Sequence, residues 1–220
     1  MEPRVNVPRM LRDKAYARFK QRLFDGDLKP GQFVSQRELC AVVDMKIGPV
    51  RDALKQLQAE ALVKVIPQRG IQIADVNVKL LRDAFELRAT LELHAVRRYA
   101  EAGDIPSLDA VEAKMDAIAA RARRRFTAEL GREFIRADLA MHQALIAGLD
   151  NDLIAETYRV NADRILLMQL TNRIDSGRLL SAIDEHMKVI AALRRRDADA
   201  AAAALAAHLR AAQRKMMGVA

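Results

Sequence analysis

Two short stretches, LVKVI (62–66) and GIQIA (70–74), alternate in the period of a β-strand and are rich in β-branched residues. Pro67-Gln68-Arg69-Gly70 separates them, so they read as a hairpin with a basic, glycine-containing tip. The segments before them follow the period of a helix. Leu11, Ala15, Phe19 and Leu23 make an apolar stripe within 10–24, which GDLKPG then breaks. A second helix is predicted from Ser35, with Glu38 three residues on completing a capping box, through Leu39, Val42 and Val43. A third runs from DMKIGPVRDAL (44–54) to Ala61, after the short turn Asp44-Met45. Its first turn holds Gly48 and Pro49, and Lys46 stands where a Ser, Thr or Asp would cap the free amides. Helix, helix-turn-helix and two-stranded wing together make a winged helix-turn-helix.

That uncapped, basic helix start, followed by Arg51 and Lys55, points to negative charge supplied from outside the protein. The charge balance agrees. Residues 1–74 hold 14 Lys and Arg against 8 Asp and Glu, whereas the rest of the chain holds 23 against 21. This asymmetry indicates a polyanion-binding module joined to a nearly neutral one. Cys40 is the single cysteine, so no internal disulfide forms, and its apolar helical setting reads as core filler rather than a nucleophile. The opening MEPRVNVPRM has no apolar signal-peptide core, and no later run reaches the ~20 apolar residues of a membrane span. The expectation is a cytoplasmic protein with no membrane partner.

From Leu80 onward strand signals vanish. Six helical segments follow, at roughly 80–102, 107–124, 128–148, 151–172, 178–196 and 198–217. Gly103, Gly131, the Leu149-Asp150-Asn151 bend, Ser176-Gly177 and Asp197 punctuate them. The predicted layout is a mostly α chain: a winged helix-turn-helix over 1–74, a linker over 75–79, and an all-α six-helix bundle over 80–220.

Several polar residues interrupt the apolar stripes of that bundle, and a buried ionisable group needs a partner or a metal. In the third segment Asp138 and His142 share a face with Ile135, Leu145 and Leu149. In the fifth, His186 lies with Ile183, Ile190 and Leu193; in the sixth, His208 lies with Leu205, Ala212 and Met216. His186 precedes Asp197 by eleven residues and His208 follows it by eleven. An antiparallel hairpin turning at Asp197 therefore sets both imidazoles about 16 Å from the bend, facing each other. One aspartate and three histidines form a ligand set for a divalent metal ion, zinc first and nickel, manganese or iron as alternatives. The bland alternative is four separately hydrogen-bonded core residues. His94 has no such company and reads as partly exposed.

Arg88, on a stripe with Leu81, Phe85, Leu91 and Ala95, and Asn161, on a stripe with Ile154, Tyr158, Ile165 and Met168, share this habit. A buried arginine beside an open metal position makes a pocket for a small carboxylate, because guanidinium and carboxylate pair bidentately. An ion pair from Arg88 to Glu92 is the competing reading. A regulator whose metal is purely structural and an all-α metalloenzyme acting on a small carboxylate are further alternatives, although no H-E-x-x-H segment or evident general base accompanies the cluster.

At this point the chain resembles the GntR-family transcription regulators of the FadR type, with an FCD effector domain in the shorter, VanR-like six-helix form. The resemblance covers nearly the whole chain. It rests on GDLKPGQ, SQRELC, GPVRDALKQLQAEALV and IPQRGIQI in the first part, and on ELRATLELHAVRRYAE, ADLAMHQALIAGLDNDLI, IDEHMKVIAAL and AAHL in the second. It implies a homodimeric, ligand-responsive regulator that binds a pseudo-palindromic operator in double-stranded DNA and responds to a small organic acid. Arg37 and Arg51 fall on the family's DNA contacts, and Arg69 and Gly70 on a wing tip that approaches the minor groove. Asp138, His142, His186 and His208 fall on its metal ligands. Where the family usually reads Ser-Arg-Thr-Pro-Val-Arg, this chain has Lys46-Ile47-Gly48-Pro49-Val50-Arg51. Lys46 stands in for the missing cationic contact, but a lysine is a point charge without arginine's forked readout of guanine.

Overall fold

In the computed structural model, which describes residues 7–75, 77–102, 106–171 and 174–218, the chain forms two compact units, Met1–Asn77 and Val78–Ala220. The first six residues and Gly103 lie outside the described residues.

The first unit contains α1 (Val7–Asp25), β1 (Phe33–Val34), α2 (Gln36–Val42), α3 (Ile47–Ala59), β2 (Val63–Ile66) and β3 (Gly70–Ile73). Phe19 and Leu23 of α1 pack into a core with Leu39, Leu54 and Leu57, each at most 3% exposed. The expected capping box is present: Glu38 N donates to Ser35 Oγ at 3.1 Å, and Ser35 N donates to the Glu38 carboxylate at 2.7 Å. Lys46 at the start of α3 makes no side-chain cap, as its chemistry requires. Asp44 takes a left-handed φ of 49° to close the turn between α2 and α3. Arg18 of α1 secures that turn by donating to the Val43 carbonyl and the Asp44 carboxylate, each at 3.0 Å. Cys40 is half-buried.

The wing has a strand that sequence periodicity did not show. β1 pairs with β3, giving the antiparallel order β1-β3-β2, with Phe33 opposite Gln72 and Val34 opposite Ile71. Two residues are too few to display a period. Gly70 starts β3 at φ +96°, and a Cβ there would lie 2.8 Å from the Val34 carbonyl oxygen. Gly70→Ala is therefore expected to cost roughly 1–3 kcal/mol of unfolding free energy, read from urea denaturation. An unchanged urea midpoint would contradict the assignment.

The second unit contains α4 (Val78–Ala102), α5 (Pro106–Arg124), α6 (Ala128–Ala147), α7 (Asp152–Thr171), α8 (Ser176–Arg194) and α9 (Ala198–Met216). Helix α4 begins at Val78, so residues 78 and 79 of the expected linker are already helical. Val78 is 70% exposed and lies off the apolar stripe by which the helix was located. Gly131, expected as punctuation, sits inside the first turn of α6, where a Cβ would approach Ile174 Cγ2 to 2.9 Å. It serves close packing rather than helix termination. Thr127, Asp175 and Asp197 cap α6, α8 and α9 through their side chains. Arg196 adopts φ 55° between α8 and α9, turning the chain back as a helical hairpin. Among the described residues no helix is long and apolar enough to cross a membrane.

Candidate metal centre and nucleic-acid interface

Helix α6 brings Asp138 and His142 one turn apart, α8 supplies His186 and α9 supplies His208. All four are buried, none above 4% exposure. One ligand atom from each falls within 4.8 Å of the others. His186 Nε2 lies 3.2 Å from Asp138 Oδ1 and 3.2 Å from His208 Nε2. His142 Nε2 is 3.8 Å from Asp138 Oδ1 and makes no hydrogen bond. The α8–α9 hairpin thus sets its two imidazoles at one level, as the spacing about Asp197 requires.

A second ring of groups aims these ligands. His142 Nδ1 is 2.7 Å from Glu92 Oε2, and His208 Nδ1 is 2.8 Å from Glu185 Oε2. An Nδ1–H given to a carboxylate leaves the Nε2 lone pair facing the centre. Gln169 donates to the other oxygen of Asp138 at 3.1 Å. Glu92 also accepts from Arg88 Nε at 2.8 Å and from the Tyr158 hydroxyl at 2.6 Å. The inward stripe of α4 accordingly runs Leu81, Phe85, Arg88, Glu92 and Ala95, while Leu91 is only partly buried. A step of four from Arg88 fits the helical period as well as the expected step of three.

Burial alone would push the Glu92 carboxyl up, but Arg88 and His142 outweigh it and hold it at about 2. Glu185 is likewise raised by burial and brought to about 2 by His208 and Arg178. Asp138 stays well below the ordinary carboxylate range despite its burial, because the imidazoles of His142 and His186 lie against it. Burial, then the neighbouring His186, push His208 down to about 3. Burial also lowers His186. His142 goes the other way: burial and Arg88 disfavour its charge, yet Glu92 and Asp138 prevail and raise it. Three imidazole nitrogens and a carboxylate oxygen, convergent and buried, with His142 and His208 held from behind by carboxylates, fit the donor set of a divalent cation.

Beside the centre lies a cavity of about 70 Å³, lined by Arg88, Phe134, Asp138, Gln169, Arg178 and His208 among others. Arg88 is ion-paired to Glu92 through Nε, yet its second terminal nitrogen, also buried, has no partner. The competing ion pair to Glu92 is thus present, and the same guanidinium also lines the cavity. Asn161 is placed differently. Its amide donates to the Ala84 carbonyl at 2.9 Å, tying α7 to α4, and it is not among the described residues that line the cavity.

On the first unit, Arg37 is exposed in the first turn of α2, and Lys46 and Arg51 are exposed at the start of α3. Arg51 Nε reaches to 3.5 Å from Gln36 Oε1, which brings the two helix starts side by side. Arg69 closes the turn between β2 and β3 and Gly70 opens β3, with the Arg69 guanidinium 4.6 Å from the centroid of the Phe33 ring. Exposed cations at the starts of both helices and at the wing suit a polyanion.

Residues 11–73 match the gntR family of bacterial regulatory proteins, and residues 83–211 match the FCD domain. The chain belongs to the gntR family and carries an FCD domain. The regulator is 27% identical over 199 residues to the HTH-type transcriptional repressor GlaR of Escherichia coli strain K12, covering 88% of this chain and 90% of that protein. It is 23% identical over 214 residues to the repressor RspR of the same strain, covering 95% and 90%. Among solved structures, E. coli McbR/YncC matches with a TM-score of 0.81 at 20% identity, over 94% of this chain and 97% of that one. A Zn²⁺-bound FCD domain, that of TM0439, matches with a TM-score of 0.55 at 24% identity, over 66% and 96%. The protein is a DNA-binding transcriptional regulator, and family and relatives set the metalloenzyme alternative aside.

Sequence reasoning missed Glu92 and Glu185 as orienting groups and Gln169 and Arg178 as cavity walls. Glu92 had a signal, since it follows Arg88 by one helical turn. Glu185 is 20% exposed and off the apolar stripe, so only the packing of α9 against α8 reveals it.

Proposed function

We propose that the regulator is a homodimer whose Asp138, His142, His186 and His208 hold one divalent metal ion, zinc first, and whose neighbouring cavity takes a small organic acid that sets the affinity for a pseudo-palindromic operator. The observation that carries this reading is the convergence of four ligand atoms within 4.8 Å, beside an unpartnered buried guanidinium nitrogen of Arg88. Zinc leads because a Zn²⁺-bound FCD domain shares the fold. A divalent ion would supply open coordination positions for a carboxylate oxygen and tip the buried charge of Arg88, Glu92 and Asp138 to positive. Arg88, held at Nε by Glu92, presents its free edge to the acid; Gln169 and Arg178 orient it; Phe134, Ile135 and Ile174 exclude water. For such an acid to act on DNA binding it must prefer one arrangement of the DNA-binding heads over the other.

On the DNA side, Arg51 and Arg37 read base edges and phosphates, Lys46 places a point charge at an uncapped helix start, and Arg69 and Gly70 bring the wing tip to the duplex. Arg51→Ala is expected to weaken binding to the selected duplex by ~1–3 kcal/mol, with less effect on random DNA. Equal losses on both would contradict a base-reading role. The reading as a whole is tested by titrating DNA affinity against metal and candidate acids separately. Acid-dependent affinity only in metal-loaded protein supports it, and no response to either overturns it.

Proton release provides a further check. His142 is raised, so below its folded value it carries a proton in metal-free protein, whereas His208, pushed down to about 3, is neutral there and His186 is shifted the same way. Zinc binding at a pH below the folded value of His142 is therefore expected to release that proton, and the release should diminish as the pH rises through that value. Calorimetry in buffers of different ionisation enthalpy measures this, and three protons released would contradict it.

A further inference from the structure

The wing carries an aromatic residue that the core does not need. Val34 of β1 points inward and is 5% exposed, whereas Phe33 alternates outward and is 38% exposed. Register explains where its ring goes. Pairing of Phe33 with Gln72 and of Val34 with Ile71 lays β1 against the start of β3, and the bare backbone of Gly70 admits the Val34 carbonyl. The ring then lies under the guanidinium of Arg69, 4.6 Å from centroid to carbon. Arg12, Arg18 and Arg22 of the same unit are paired with Asp13, Asp44 and Asp27. Arg69 is in none of the ion pairs among the described residues; what it rests on is a ring, so its charge is not neutralised by a carboxylate.

We propose that Phe33 is a positioning residue for DNA recognition, holding the Arg69 guanidinium by its face so that the in-plane N–H groups point outward to nucleic-acid acceptors. The donors of a guanidinium all lie in its plane, and stacking occupies only the face. A stacked arginine also gives up less side-chain freedom on binding than a free one. Adenine N3 and thymine O2 in the minor groove, or phosphate oxygens, are acceptors such an edge can take. This inference rests on the reading that the wing tip touches DNA.

The test is a double-mutant cycle on the full-length protein, using as probe the duplex that the wild type enriches from a random-sequence library. Phe33→Leu is expected to raise Kd roughly two- to fivefold while leaving the urea midpoint unchanged. Arg69→Ala should raise Kd at least as much and flatten the salt dependence. The double variant should bind no worse than Arg69→Ala alone, and Phe33→Tyr should bind as the wild type does. Multiplying effects, or a neutral Phe33→Leu beside a harmful Arg69→Ala, would overturn the stacking role while leaving the wing contact standing. A neutral Arg69→Ala would overturn the wing contact itself and the inference with it. Should Phe33→Leu fail to fold, Arg69→Lys takes its place: loss of affinity is expected because lysine lacks planar edge donors, and wild-type affinity would overturn the proposal.

Discussion

Replacing Glu92 by alanine is expected to lower the unfolding free energy of the metal-free protein by about 3–5 kcal/mol, the cost of a buried charge left without its partner. Glu92 is fully buried and receives hydrogen bonds from Arg88 and Tyr158 while facing His142. Its loss strands the Arg88 guanidinium, itself 1% exposed and already short of a partner at one nitrogen. Since whole domains are stable by roughly 5–15 kcal/mol, the variant should be close to unfolding at physiological temperature. Glu92→Gln should cost less, because its carbonyl oxygen still accepts from Arg88 although the charge is gone. Urea denaturation in the presence of a chelator measures both. A cost for Glu92→Ala below about 1 kcal/mol would mean that water or another group reaches the guanidinium, and the buried network would need redrawing.

The second large effect is expected from the metal itself. A ligand that binds only the folded state at a hundred times its Kd stabilises that state by about 2.7 kcal/mol. Wild-type protein stripped by a chelator should therefore melt at a lower temperature and recover when zinc is returned. His186→Ala removes the imidazole that lies 3.2 Å from both Asp138 and His208, so it should abolish the zinc-dependent increment. The metal-free melting temperature of that variant should fall as well, because the contacts of Nε2 with Asp138 and His208 go with the ring, so the zinc-induced increment over the variant's own baseline is the quantity to compare. The same zinc-induced shift in wild type and variant would show that the ion binds elsewhere.

What the sequence made legible is what helical geometry alone determines. Asp138 and His142 share a face because they are four apart, and His186 and His208 meet because each stands eleven residues from the Asp197 turn. No knowledge of packing is needed for either. Glu92 was harder, since Leu91 and Glu92 both fall near the continuation of the Arg88 stripe and only contact with α6 and α7 decides which is inside. Asn161 shows the opposite failure: a polar residue on an inward stripe need not face a cavity when a backbone carbonyl, that of Ala84, lies nearer. In the first unit, β1 escaped notice because pairing of two residues with β3 is a non-local event. The extra residues of α4 escaped because a helix continues past its apolar face. Exposure of Arg37, Lys46, Arg51 and Arg69 is compatible with DNA contact, but the bases they meet are set by the duplex as much as by the protein.

X-ray absorption at the zinc edge of protein purified without added chelator addresses the centre most directly. About one zinc per chain, surrounded by nitrogen and oxygen neighbours with the outer-shell scattering of roughly three imidazoles, is the expected spectrum. Protein without bound metal even after zinc is supplied, or zinc whose neighbours are sulfur or oxygen alone, would contradict a site built from Asp138, His142, His186 and His208.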